Sequence, residues 1–271
     1  MTPPGLVLLC ALLALSSRRA LILTEFLPGT KHGPRGRLVR TAYRMLLNRT
    51  VLAVQVMTSW EADFYSGEYQ IDSVRLRHVP FYSYDDSIEH APRKWSPRST
   101  GGVVSSGRNS CDWESVAQAL AEIDCAATLI CEGRQKNHVM ALVAGNQRVT
   151  VLADVSSEEH DRLVENAQVF VLALKENGVS SGHVRLMMAA TYGTPLVASR
   201  VRGIQGYENL VTTMVPANDS DALRSAIADV LLSKESLLDE TERVRRAATT
   251  RSRSVYSNEM VEFIRRGAES R

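Results

Sequence analysis

QVFVLALKENGVSSGHVRLMMAATYGTPLVAS, residues 168–199, reads as a strand, a loop, a helix and a second strand in close succession. Residues 168–174 are a nearly all-apolar run of strand length, the pattern of a strand covered on both faces of a parallel sheet. A loop, residues 175–182, leads into helix formers over residues 183–192. Gly193 stops that helix and Pro195 closes it. Ser180-Ser181-Gly182 puts hydroxyls and backbone N–H groups at the helix mouth. Two readings follow. Unpaired N–H groups and the positive end of the helix dipole make a site for a phosphate or diphosphate. Alternatively, the stretch is an ordinary capped helix of an α/β domain.

The flanking sequence repeats the alternation. Upstream, residues 102–106 form a strand running straight into Gly107-Arg108, followed by the helix DWESVAQALAEID, whose Trp113, Val116, Ala117, Leu120 and Ile123 recur at helical spacing. Further strands are expected over 127–131 and 149–153, a short helix over 134–142, and a capped helix starting at 156–159 and ending near Asn166. Downstream come a loop at 203–207, a strand at 211–215 and helices at 219–232, 235–247 and 257–266. Alternating apolar strands and helices predict a parallel, helix-covered sheet. Ligands of such sheets bind beyond the carboxyl ends of the strands, which selects the loops at 107–108, 175–181 and 202–208. There Arg108 and Lys175 can neutralise phosphate charge, Ser180, Ser181 and Gly182 can donate hydrogen bonds, and Glu176 or Glu208 can accept from sugar hydroxyls.

Residues 1–81 give a smaller set: a strand at 20–26, a turn-rich loop at 28–36, an amphipathic helix at 37–48, a strand at 51–57, a helix capped by Thr58 or Ser59, and a half-exposed strand at 74–81. These are too few βα units for a complete doubly wound domain. Residues 82–101 mix charges of both signs with prolines and read as a linker, placing a second domain at 102–250 and a terminal helix at 251–271. Within residues 1–19, the apolar run at 5–15 is too short to span a bilayer. It reads as a buried helix, an interfacial anchor or a signal h-region. Arg37, Arg40 and Arg44 share one helix face, either solvated or set for anionic lipid headgroups.

With 271 residues, 32 basic against 30 acidic side chains and a net charge of +2, the chain is not a nucleic-acid-coating protein. Cys10, Cys111, Cys125 and Cys131 have no metal-ligand spacing and read as free thiols of a reducing compartment, here the cytoplasm or its membrane face.

The order of elements resembles the GT-B glycosyltransferases, particularly the retaining nucleotide-sugar transferases called glycosyl transferases group 1. VVSSGRNSCDWESVAQAL, ADVSSEEHDRLVENAQVFVLAL, GVSSGHVRLMMAATYGTPLVAS and RGIQGYENLVTTMVPANDSDALRSAIADVL carry the likeness. The resemblance implies two Rossmann-like domains with parallel sheets, the N-terminal one incomplete, and a final helix returning to it. It implies transfer of a sugar from a nucleotide diphosphate sugar, bound by the second domain, to a glycan, lipid or other acceptor on the first. Peripheral membrane contact is compatible with it; nucleic acid is not among the implied partners. Many members carry two glutamates eight residues apart where this chain has Ser180 and Met188, while Ser180-Ser181-Gly182-His183 approximates the Ser-Ser-Gly-Gln of a related subset. On that basis His183 joins the donor-site candidates. On the acceptor side, Glu25 follows the strand where relatives place a functional histidine, and His32 is nearby; both are candidate catalytic groups. No Asp-x-Asp is read as a metal site and no cofactor is expected, so the implied reaction is metal-independent with the nucleotide sugar as substrate. A non-catalytic GT-B-like partner protein is the competing reading; a nucleotide-sugar epimerase of the same architecture fits the blocks less well.

Overall fold

The computed structural model describes residues 3–15, 19–28, 33–83, 95–177 and 179–269. His32 and most of the expected linker lie outside them. The chain divides into two units, one comprising Met1–Phe81, Asn177–Ser180 and Ser254–Arg271, the other Tyr82–Glu176 and Ser181–Arg253.

The second unit is built on six parallel strands: β4 (Val103–Ser106), β5 (Ala127–Cys131), β6 (Val149–Ala153), β7 (Val169–Leu172), β8 (Leu196–Arg200) and β9 (Thr213–Pro216), in the spatial order β6-β5-β4-β7-β8-β9. The central strands β4 and β7 are buried along their whole length, β7 as its apolar sequence requires and β4 with Ser105 and Ser106 buried beside Val103 and Val104. Helices α4 (Trp113–Ala121), α5 (Lys136–Leu142), α6 (Ser157–Asn166), α7 (His183–Tyr192), α8 (Ser220–Leu232) and α9 (Leu238–Thr249) connect or cover them. Trp113, Val116 and Leu120 of α4 share a core with Val169 and Val171 of β7 and with Leu223 and Ile227 of α8. Three of the helix starts have a side-chain cap. Asp112, Ser156 and Asp219 accept hydrogen bonds from the backbone N–H groups of Ser115, Glu159 and Ala222 at α4, α6 and α8. Gly193 ends α7 at φ 70°, where its N–H reaches the carbonyls of Ala189 and Ala190.

The first unit has three parallel strands, β1 (Leu21–Leu23), β2 (Val51–Val56) and β3 (Leu76–His78), with β2 in the middle. Around them lie α1 (Pro3–Leu15), α2 (Gly33–Thr50), α3 (Ser59–Tyr69) and α10 (Arg253–Glu269). Leu6 and Cys10 of α1 are buried against Phe26, Tyr43 and Leu47, while Leu8, Leu12 and Leu15 are exposed. Among the described residues no helix is long and apolar enough to cross a membrane. Phe26 centres an aromatic cluster, its ring centroid 5.8, 5.4 and 6.1 Å from those of Tyr43, Tyr65 and Tyr69. α3 starts in a capping box: Thr58 Oγ1 accepts from Glu61 N, and the buried Glu61 carboxylate accepts from the N–H groups of Met57 and Thr58. The strand expected at 74–81 is shorter, because Asp72 caps a 3₁₀ turn at Ser73–Arg75 that delays it. The basic face of α2 is also partly committed. Arg40 and Arg44 both engage Glu68, at 3.0 and 3.6 Å between charged atoms, which leaves less of that face for lipid headgroups.

α10 closes this unit. Phe263 is buried with Ala53 and Val79, and Gly267 lets the helix approach so closely that a Cβ there would stand 3.0 Å from Ile22 Cδ1. The amide of Gln55 ties the same layers together: Oε1 accepts from Glu25 N (3.2 Å), and Nε2 donates to Val79 O (3.1 Å) and to Tyr256 Oη (3.2 Å). Phe263→Ala should therefore cost about 3–5 kcal/mol in urea denaturation of this unit. A loss under about 1 kcal/mol would show that α10 contributes little to that core.

Candidate functional site

Strand order places the site. From β4 the chain winds outward through β5 and β6, then returns to lay β7 on the other side of β4 before continuing to β8 and β9. The loops leaving β4 and β7 therefore diverge to opposite faces and open a crevice at their carboxyl ends, the usual ligand position in open α/β sheets. Here the two loops are pinned together: Asp112 N donates to Ala173 O (3.0 Å), Lys175 N donates to Ser110 O (2.7 Å), and Cys111 forms a bridge with Leu174. Gly107 suits this closeness, since a Cβ on it would crowd the Cys111 thiol.

Gly107, Arg108, Lys175, Glu176, Ser181, Gly182, His183 and Glu208 lie in one unit, on the segments that follow β4, β7 and β8. Their side chains are not equally available. Arg108 is exposed and, among the described residues, makes no hydrogen bond or ion pair. Gly182, at φ 87°, turns the chain into α7 without any side chain capping the helix, and a Cβ there would press on Leu174 and Leu172. Ser181 is half-buried beside it. Lys175, by contrast, is held by Glu114 at 2.8 Å. That hydrogen bond pulls the Glu114 carboxyl below and the Lys175 ammonium above their ordinary ranges. Glu176 accepts from Arg202 N (3.0 Å) and Nε (3.1 Å), and Glu208 accepts from Gly206 N (2.8 Å). The His183 ring is buried, with Nε2 2.7 Å from Gly203 O, and stacks on Tyr207 with centroids 4.5 Å apart. It shapes the 203–207 loop, while its backbone stands at the start of α7.

Ser180 and Glu25 belong to the first unit. Ser180 is 2% exposed and its hydroxyl lies 3.2 Å from Thr58 Oγ1, so that group is already hydrogen-bonded. Glu25 follows β1 in an exposed bend at φ 49°, a conformation costly for a residue with a Cβ, and the Gln55 amide holds its N–H. His32 lies outside the described residues. His78, at the carboxyl end of β3, was not among the sequence candidates; it is exposed, with Nε2 3.1 Å from Met57 O.

The sequence contains one Asp-x-Asp, Asp219-Ser220-Asp221. Asp219 is committed as the cap of α8 and Asp221 to Arg224 (3.0 Å). Among the described residues no cluster of three or more His, Cys, Asp or Glu side chains could hold a metal ion.

One polar group at this rim escaped sequence reading entirely. His160 of α6 is 2% exposed, its Nε2 2.7 Å from Ser106 Oγ at the end of β4 and its Nδ1 3.3 Å from Arg185 Nη1 in the first turn of α7. A guanidinium can only donate, so Nδ1 accepts and Nε2–H donates to Ser106: the imidazole is neutral. Asp161 Oδ1, 3.7 Å from Nδ1, is too far for a hydrogen bond. Burial pushes the His160 pKa below its ordinary value, with the Arg185 charge adding to the shift and Asp161 opposing it. Nothing in the spacing of a lone histidine on an amphipathic helix signals such a contact; it depends on which helix covers β4.

The HepE protein of Anabaena, solved in complex with UDP-glucose, matches 97% of this chain and 76% of its own at a TM-score of 0.74 and 15% identity. A glycosyltransferase from Rickettsia africae matches 96% of this chain and 80% of its own at 0.69 and 12%. The sucrose-phosphate synthase of Thermosynechococcus elongatus matches 87% of this chain at 0.67 and 18%, and this chain spans only 63% of its length. No curated protein sequence matches. These likenesses define the class by fold, a GT-B architecture of parallel α/β units. More narrowly, residues 109–233 match the family described as Glycosyl transferases group 1.

Because the unfolded His160 titrates near 6.5 and the folded one lower, the unfolded chain binds more protons as the medium is acidified. The contribution of this group is present above about pH 6.5 and is lost as pH falls toward the folded pKa. Urea denaturation at pH 7.5 and at pH 5 should show a loss of stability on acidification that is smaller in His160→Gln. Equal losses in both proteins would contradict the buried neutral imidazole.

Proposed function

We propose that the second unit binds a nucleotide diphosphate sugar at the β4/β7 crevice and that the protein transfers its sugar, without a metal ion, to a glycan, lipid or other acceptor. The observation that carries this reading is that the segment after β4 offers the exposed Arg108, unpaired among the described residues, and the segment after β7 leads into α7 without a side-chain cap, at the two strands where the order reverses. Positive charge and backbone N–H groups at that place suit a diphosphate. They also suit the reaction. Negative charge grows on the diphosphate as the sugar departs, and donors already in place stabilise it at little reorganisation cost. The group 1 family match and the UDP-glucose complex of HepE support the same donor class. Lys175 would join this set only on leaving Glu114, so Arg108 is expected to dominate. On the acceptor side Glu25 is the candidate base, presented by its Gln55-held bend.

A second reading, a non-catalytic partner protein, is favoured by one observation. Met188 is 3% exposed, so the position that many relatives give to a glutamate is here part of the interior. Assay of purified protein for release of free sugar from the donor separates the two, since a pure partner would release none.

Millimolar UDP-, GDP- and ADP-sugars test the proposal by thermal denaturation. A donor at a hundred times its Kd should stabilise the fold by about 2.7 kcal/mol and raise the Tm by several degrees. No shift with any of them would remove the reading. Arg108→Ala should weaken the nucleoside diphosphate about tenfold or more while leaving the nucleoside nearly unchanged. Equal loss of both would remove the phosphate role.

A further inference from the structure

Charge is unevenly divided along the chain: residues 1–50 carry eight basic side chains and one acidic, whereas residues 51–271 carry 24 basic and 29 acidic. Such segregation points to an anionic partner for the first segment. α1 lies within it and contains no charged residue and no Ser, Thr, Asn or Gln. A helix apolar on every side is expected to be covered on every side, yet of its described side chains only Leu6 and Cys10 are buried. Leu8, Leu12 and Leu15, at the i, i+4 and i+7 positions of the opposite side, are each more than half exposed.

α2 packs beside α1 and repeats this arrangement. Its Tyr43 and Leu47 share one core with Leu6 and Cys10, while Leu38 and Met45, seven residues apart on its other side, are more than half exposed. Both helices cover one face of the β1-β2-β3 sheet and α10 covers the other, so the outer sides of α1 and α2 turn the same way. Arg35, three residues before Leu38, and Arg49, four after Met45, fall on that outer side. They are exposed and make no ion pair among the described residues. This is not the flank of α2 on which Arg40 and Arg44 engage Glu68.

We propose that the outer side of α1 and α2 docks the protein on an anionic lipid bilayer. At 13 residues α1 is about 20 Å long, short of the roughly 30 Å hydrocarbon core, so it lies in the plane of the interface. Its leucines enter the acyl boundary, and Arg35 and Arg49 meet the headgroup phosphates. Two other occupants fit this surface less well. A second copy placed face to face would bring Arg35 and Arg49 of both chains together, like charge against like. A protein partner is commonly anchored by Trp or Tyr, with Leu sparingly used, and the only aromatic side chain of α1 and α2 is the buried Tyr43. The inference stands apart from the donor-site reading.

The test is flotation of the full chain with vesicles of phosphatidylcholine alone and of phosphatidylcholine with about 30% phosphatidylglycerol, in about 0.1 M and about 0.5 M salt. The anionic vesicles should bind about tenfold or more tighter than the neutral ones, and the higher salt should remove most of that difference. Leu8→Ser combined with Leu12→Ser should weaken binding about tenfold or more. Arg35→Gln combined with Arg49→Gln should weaken it about fivefold or more, on anionic vesicles only. Leu232→Ser, which changes an exposed leucine of the second unit, should bind as the wild type does. The substituted leucines are exposed, so that variant should keep the wild-type Tm; if it does not, the arginine variant decides. Absence of wild-type binding to anionic vesicles, equal affinity for both vesicle types, or unchanged binding in a folded leucine variant overturns the proposal. A wild-type dimer that the leucine substitutions dissociate, with no vesicle binding, also overturns it and assigns the surface to a second copy.

Discussion

The pairing of β4 with β7 is the constraint on which the second unit depends. β4 is the first strand of its sheet in sequence and, with β5 already on one side, only its other edge can receive the returning chain. Parallel strands need crossovers, and right-handed crossovers started in opposite directions put the helices that follow on opposite faces. The crevice between the loops of β4 and β7 is thus a product of chain order. Its contents then follow from sequence at two short segments, 107–112 and 181–186. Backbone hydrogen bonds from Asp112 and Lys175 close the two loops upon each other, and Gly107 and Gly182 give the close approach.

Once those loops are fixed, charge becomes a question of competition. Exposed ion pairs such as Lys175–Glu114 are individually weak, about 0–1 kcal/mol, so they decide which cations are occupied more than they decide stability. The His160 contact is of another type. It is buried and hydrogen-bonded on both ring nitrogens, and it cannot be protonated without turning an acceptor toward Arg185 into a repelling donor. In the first unit, Gln55 plays a comparable organising part with a neutral amide, joining the bend at Glu25, the end of β3 and α10 through groups that are all satisfied.

Much of this was legible in the sequence. Residues 168–199 gave a strand, loop, helix and strand because apolar continuity, helix formers and the Gly193/Pro195 stop act locally. The observed β7, α7 and β8 differ from the expected bounds only at their ends. The segments 107–108, 175–181 and 202–208 do follow β4, β7 and β8, but the strand order that sets them against one another was not readable from local pattern. What could not be read was which side chains remain available. Glu114 takes Lys175, Arg202 takes Glu176, Thr58 takes Ser180 and Gly203 takes His183, and all four are contacts between residues distant in sequence. The Ser106–His160–Arg185 chain was invisible for the same reason. Asp219-Ser220-Asp221 shows the converse: a pattern with chemical associations whose carboxylates serve a helix cap and an ion pair.

The central claim is that a nucleoside diphosphate seats where the β4 loop meets the start of α7. Amide hydrogen exchange of the full chain, with and without a saturating UDP-, GDP- or ADP-sugar, addresses it most directly. Slowed exchange concentrated in residues 107–112 and 181–186 is expected. Unchanged exchange in both segments while a ligand is bound, or protection confined to another part of the second unit, would contradict it.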